Sequence, residues 1–329
     1  MPKITRRTTI FTAAAALVAP AFAQAPTAAA EPKDVDQGDN IEIKTFTYAS
    51  KDNQDLELDL IIDRSTIVEK RPAIIYLFGG GWEGGERRDG STVDLFRSYL
   101  SLGVAVVPID YRLGVKEAKS RGESPTTETY LEAIQLSVED LFDATSYLLE
   151  HAEECGLDPE RIVLMGGSSG ATNSLVAEFN LANSTQLARA RLPDGFRYAG
   201  VIAMAGAFWL KAGTPLTFAS KPAPIMFFSG AKDQIVTYDE VQGPFSGYGA
   251  QYYFREFAGP DYPKWFVDYP EGDHALAALP AINNQLEIRA FLEKLAWGRR
   301  ELSIHTVELS KIPSSFEGLF SQQRLPASS

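Results

Sequence analysis

The stretch Arg161-Ile-Val-Leu-Met-Gly-Gly-Ser-Ser-Gly-Ala-Thr-Asn173 decides how the rest of the chain is read. Four apolar residues, Ile162 to Met165, suit a short buried strand. Gly166, Gly167, Ser168, Ser169 and Gly170 then spell G-x-S-x-G, and Ala171, Leu175, Val176 and Phe179 continue with helical spacing. In a strand–turn–helix context this pattern marks a nucleophile elbow, a turn so sharp that its serine needs glycine neighbours. The bland alternative is a Gly/Ser loop or a phosphate-binding turn before a helix. The choice rests on whether the chain supplies partners for Ser168 in a workable order.

Working outward, the flanking segments alternate between buried strands and helices. Ile41–Tyr48 and Leu56–Ile62 alternate apolar and polar residues around a polar turn at 51–55, which predicts an antiparallel hairpin with one wet face. Pro72–Phe78, Val104–Tyr111, Tyr198–Ala205, Pro224–Ser229 and Trp265–Tyr269 read as further strands. Helical patterns cover 91–101, 130–151 and 282–297, and 113–127 reads as a surface loop. The expected fold is α/β: a mostly parallel twisted sheet with helices on both faces behind an N-terminal antiparallel hairpin. The expected organisation is an export signal over 1–23, a flexible leader over 24–40, one α/β domain over 41–298, and a tail of unknown role over 299–329.

In such a sheet chemistry gathers at the carboxyl ends of the strands. There the sequence places Gly79-Gly80-Gly81-Trp82, Tyr111-Arg112, Ser168, Asp233 and His274. The order Ser, Asp, His is the one associated with nucleophile-elbow sites. A serine hydroxyl is a weak nucleophile, so His274 is the expected base, and Asp233 the group that orients the imidazole. Gly80, Gly81 and Ser169 are the candidate N–H donors to an oxyanion. Each assignment has a rival. Ser169 could be the nucleophile in a shifted register; Asp239, Glu240 or Asp261 could be the acid; His151 and His305 are the other histidines. Trp82, Trp209 and Phe208 are candidate pocket walls, with burial in the core as the alternative.

The chain has 329 residues, 45% of them hydrophobic and 22% charged, an ordinary globular composition. Lys3, Arg6 and Arg7 precede an apolar run, Ile10–Val18, and Ala21-Phe22-Ala23 forms an A-x-A site, as in an export signal. Arg6-Arg7 suggests the twin-arginine route, but Thr9 departs from that signal, so both routes stay open. Removing those three cations takes the formal charge from −12 to −15, which argues against nucleic acid and anionic membranes as partners. The mature chain has no expected membrane span. Cys155 is the only cysteine, so no intramolecular disulfide can form, and three scattered histidines give no metal-site spacing. No metal or cofactor is expected.

At this point the chain resembles the bacterial α/β-hydrolase esterases related to hormone-sensitive lipase, which pair an H-G-G-G-W loop with G-x-S-x-G. The stretches that carry the resemblance are Phe78-Gly-Gly-Gly-Trp82, Ile109-Asp-Tyr-Arg-Leu113, Leu157-Asp-Pro-Glu-Arg-Ile162, Gly166-Gly-Ser-Ser-Gly170, Gly230-Ala-Lys-Asp233 and Glu271-Gly-Asp-His274. They span about residues 56–297. Ser137–Ala144 and Tyr198–Ile202 resemble a secreted branch of these enzymes. The resemblance implies a serine carboxylesterase with Ser168, Asp233 and His274 as triad and Gly80 and Gly81 in the oxyanion hole. It also implies substrates among short-chain esters or acetyl and feruloyl esters of plant polysaccharides. Phe78 stands where the family has a histidine that braces the glycine loop, so the brace, not the triad, is what differs. Two other functions fit the same pattern: a serine peptidase on this fold, and a non-catalytic ligand-binding protein.

Overall fold

The computed structural model describes residues 40–88 and 92–309. The expected export signal, nearly all of the leader and the end of the tail lie outside those residues. Chain order begins with β1 (Ile41–Lys51), β2 (Gln54–Asp63), β3 (Arg71–Leu77), α1 (Thr92–Leu100), β4 (Ala105–Pro108), α2 (Gly114–Ser120) and α3 (Thr127–Glu150). It continues with β5 (Leu157–Gly167), α4 (Ser169–Ala182), α5 (Gln186–Arg189), β6 (Gly200–Met204), β7 (Phe208–Lys211) and β8 (Ile225–Gly230). The last elements are β9 (Glu240–Gln242), β10 (Phe245–Tyr248), α6 (Ala250–Glu256), β11 (Lys264–Tyr269), α7 (Leu279–Asn283), α8 (Gln285–Phe291) and β12 (Ser303–Val307).

Nine strands form one sheet in the order β1-β2-β4-β3-β5-β6-β8-β11-β12. The hairpin β1–β2 and the β2–β4 contact are antiparallel; every other pairing is parallel. Asp52 and Asn53 turn the hairpin with φ of 53° and 60°, the left-handed pair that a two-residue hairpin requires and that Asn and Asp tolerate best. The continuous apolar run in β3 has a simple cause, because both of its faces are covered. Ala73, Ile75 and Leu77 pack toward residues of α3 and α4, and Ile74 packs with Phe96 and Tyr99 of α1 on the other side.

Helix α3 starts at a reciprocal cap: the Thr126 hydroxyl accepts from the Thr129 amide, and the Thr129 hydroxyl accepts from the Thr126 amide. It is tied to the hairpin by charge. The Arg112 guanidinium donates to both oxygens of Asp140, which is fully buried, and to Asp52 in the turn (2.9 Å). Arg112 thus has a structural employment at its strand end.

Four expectations need correction. The segment 113–127 contains α2, because Val115 and Ala118 bury against the core. The helix expected over 282–297 is broken at Asn284, whose carboxamide oxygen accepts from the Tyr269 hydroxyl (2.9 Å), and it ends in a wide turn over 292–296. Phe208 and Trp209, expected as pocket walls rather than within a strand, lie in β7, part of a second sheet ordered β7-β10-β9. Within 299–329, Ser303–Val307 pairs in parallel with β11 and forms the edge of the main sheet, beyond the domain bound expected at 298.

Candidate active site

Ser168 sits between β5 and α4 with φ of 52° and ψ of −121°, a conformation that L-residues adopt only under compulsion. The compulsion comes from close approaches that only glycine permits. A Cβ on Gly170 would stand 2.1 Å from the Leu77 carbonyl oxygen, and one on Gly167 would stand 2.0 Å from that of Ala277. The first lets the helix abut the end of β3. The second lets the His274–Ala277 turn abut the elbow. The Ser168 amide donates to the Met204 carbonyl (2.9 Å), and its own carbonyl accepts from Thr172, the first bond of α4.

His274 opens a short 3₁₀ turn after β11, and Asp273 caps it by accepting from the Ala275 amide (2.9 Å). The Ser168 Oγ lies 2.9 Å from His274 Nε2. On the far side of the ring, Nδ1 lies 2.9 Å from Asp233 Oδ2. Asp233 follows β8, and its side chain is 1% exposed against 19% for His274. Its other oxygen, Oδ1, accepts from the amides of Ile235 (2.8 Å) and Val236 (3.0 Å). That pair of amides fixes the carboxylate so that only Oδ2 faces the imidazole. A hydroxyl, an imidazole and a buried carboxylate therefore form one hydrogen-bonded chain, the arrangement needed to move a proton off the serine.

The rivals are employed elsewhere. Asp239 pairs with Arg255 (3.0 Å), while Glu240 and Asp261 are exposed. His151 Nδ1 donates to the Tyr147 carbonyl (2.8 Å) at the end of α3, and His305 Nε2 faces Asp268 (3.3 Å). Ser169 is not at the elbow's exposed position: it is the first residue of α4 and 2% exposed.

The glycine loop runs Phe78–Trp82, with φ of 133° at Gly80, 64° at Gly81 and 58° at Trp82. The Gly80 carbonyl accepts from the amides of Glu83 and Gly84 (3.1 Å each). The Gly81 amide donates to Ser169 Oγ (3.1 Å), and the Trp82 indole N–H donates to Asn173 Oδ1 (2.9 Å). Phe78 stacks on Tyr111 with ring centroids 4.4 Å apart, and the Tyr111 hydroxyl donates to the Phe78 carbonyl (2.6 Å). A stacked pair closed by one short bond thus occupies the place where the resemblance leads one to expect a histidine brace. Tyr111 and Asn173 escaped assignment from sequence. The position of Tyr111 after a buried strand was the one signal for it, and Asn173 carried none.

The three aromatic pocket candidates divide. Phe208 is a correction: it has no exposed surface and packs against Phe218 and Tyr253 in the core. Trp82 is 3% exposed, its ring against Tyr130 and Trp209, so it supports the loop from behind. Trp209 alone remains partly exposed, tilted against Phe245 on the second sheet (5.0 Å). Two cavities, of about 220 and 310 Å³, are lined by residues such as Arg71 and Cys155 or Arg161 and Trp297; neither lining includes a triad residue. Among the described residues no group of acidic, histidine or cysteine side chains could hold a metal, and no helix is long and apolar enough to cross a membrane.

In comparison with known proteins, the chain is similar to esterases. Residues 58–206 match the BD-FAE family. The chain is 31% identical over 129 residues to gut esterase 1 of Caenorhabditis briggsae, covering 38% of this chain and 21% of that protein. It is 29% identical over 120 residues to ethyl acetate hydrolase of Pseudomonas putida, covering 36% of this chain and 33% of that one. The matched region therefore spans a fifth to a third of these relatives. Among solved structures, esterase 2 of Thermogutta terrifontis phosphorylated by paraoxon superposes with a TM-score of 0.56 at 19% identity, over 78% of this chain and 95% of that one. The fold is that of the α/β-hydrolases.

Proposed function

We propose that this α/β-hydrolase is a serine carboxylic ester hydrolase working through an acyl-enzyme. The observation that carries the reading is the unbroken chain Ser168 Oγ–His274 Nε2 and His274 Nδ1–Asp233 Oδ2, both links 2.9 Å. In the first step Ser168 Oγ bonds to the ester carbonyl carbon as its proton passes to His274 Nε2. The imidazolium that forms is stabilised by Asp233, whose Oδ2 accepts from Nδ1–H. The tetrahedral oxyanion is received by amides at the start of α4 and in the glycine loop. Collapse breaks the bond to the alcohol oxygen, which takes the proton from His274. Water then repeats the sequence against the acyl-enzyme, releasing the acid and restoring Ser168.

The substrates we assign are short-chain esters or acetyl and feruloyl esters linked to carbohydrate. The similarity to an ethyl acetate hydrolase supports a small acyl group. Export is part of the same reading, supported by Lys3, Arg6, Arg7 and the Ala21-Phe22-Ala23 site. A panel of acetyl, butyryl and feruloyl esters, with acetylated xylan, tests the assignment. Turnover of 4-nitrophenyl acetate that falls by ~10³-fold or more in Ser168→Ala is the expected result. Undiminished turnover in that variant contradicts it.

A further inference from the structure

The cavity of about 310 Å³ lies at the opposite end of the sheet from the triad. Arg161 stands near the start of β5 and Ser168 just past its end, about 20 Å apart by the rise of a strand. Apolar walls come from Pro72 at the start of β3, Val104 before β4, and Leu292 after α8. Beside them stands a cation held by an aromatic ring. The Arg161 guanidinium lies over Trp297, 4.8 Å from the ring centre, and the Trp297 indole N–H donates to the Arg161 carbonyl (3.3 Å). Among the described residues no carboxylate pairs with Arg161 or with Lys70, which lines the same cavity. The other two charges of the lining, Arg289 and Glu293, satisfy each other at 2.8 Å. Tyr99 of α1 adds an independent observation. It lines the cavity, is 1% exposed, and its hydroxyl has no partner among the described residues. Burial pushes that hydroxyl above the ordinary tyrosine value, so it stays an unspent donor.

We propose that this cavity binds a small aromatic carboxylate, with Arg161 receiving the carboxylate and Tyr99 supplying a further donor. The class follows from the chemistry of the walls. Donors without acceptors call for an anion, and a guanidinium with one face on an indole keeps its N–H edge free for the two oxygens of a carboxylate. On a chain of formal charge −12, two unpaired cations in one cavity draw an anion here and not to the surface at large. The volume is near the lower limit of ligand pockets, about 300 Å³, which suits a single ring better than an extended chain. Pro72, Val104 and Leu292 give that ring an apolar surface to cover, which a fully hydrated inorganic anion does not use. The site lies apart from the ester chemistry and stands whether or not Ser168 is a nucleophile.

The test is isothermal titration calorimetry of benzoate into the full chain carrying Ser168→Ala, and into the same chain with Arg161→Gln or Tyr99→Phe added. Benzyl alcohol is the uncharged comparison. One equivalent of benzoate binds, with a Kd of about 1 mM or tighter. Arg161→Gln weakens it about tenfold or more, and Tyr99→Phe about threefold or more. Benzyl alcohol binds about tenfold more weakly than benzoate or worse. Tyr99→Phe also separates binding from folding: it removes an unpartnered buried hydroxyl, so its ligand-free Tm equals or exceeds that of the parent. Absence of benzoate binding at about 10 mM overturns the proposal. Undiminished affinity in Arg161→Gln overturns it too, and where that variant does not fold, undiminished affinity in Tyr99→Phe does the same. Equal affinity for benzyl alcohol and benzoate also overturns it, because the cavity is then merely apolar.

Discussion

At the residue scale, the informative atom is Asp233 Oδ1. Because it accepts from Ile235 and Val236, the carboxylate cannot turn without abandoning two backbone amides. In Asp233→Asn those amides keep Oδ1 in place and leave the Nδ2 group facing His274 Nδ1. The imidazole then carries its proton on Nε2, the wrong tautomer for taking one from Ser168. A drop in kcat of about 10³–10⁴ with KM little changed is expected from steady-state kinetics of this variant. A drop below about tenfold removes Asp233 from the triad. That Ser168, Asp233 and His274 lie together was legible in the sequence, because each follows an apolar run that only a strand explains. The two amides that fix Asp233 were not legible, since nothing in Gln234-Ile235-Val236 reveals which backbone groups point inward.

At the element scale, α4 does more than present the nucleophile. It carries Glu178, 1% exposed, whose Oε1 accepts from the Ala223 amide (2.7 Å) while Oε2 has no partner among the described residues. Burial pushes its carboxyl up to about 7, against a weaker downward pull from the Ala223 amide and Arg197. Unfolding releases that carboxyl to an ordinary acidic value near 4.5. Between those two values the unfolded chain gives up the proton and the folded one keeps it, so stability declines as pH rises from about 4.5 to 7 and is level above. The decline is on the order of 3 kcal/mol. Glu178→Gln keeps the acceptor and loses the titration, so its urea midpoint should overtake wild type progressively across that window. Parallel profiles would remove Glu178 as the source. The helical period of α4 was visible in the sequence, but an acid inside it reads as a solvent-facing residue until the Ala223 turn is seen to cover it.

At the scale of the whole molecule, the parallel core was readable because strands buried on both faces are continuous apolar runs. Both departures from that rule were missed. The second sheet is built of strands of three and four residues, too short to show alternation, and the alternation of β12 runs over only five residues, none of them fully buried. Yet β12 is well tied. Trp265 Nε1 donates to Thr306 Oγ1 (3.0 Å), and His305 stacks on Phe266 at 5.1 Å. Truncation after Gly298 therefore uncovers β11, and a loss of roughly 5 °C or more in Tm is expected by calorimetry. An unaltered melting point would make 299–329 an appendage.

Whether Ser168 is the nucleophile is decided most directly by covalent trapping. The wild-type protein treated with paraoxon and mapped by peptide mass spectrometry should carry one diethylphosphoryl group, on Ser168, with ester turnover lost in proportion to labelling. Label on another residue, or full turnover after stoichiometric labelling of Ser168, contradicts the account.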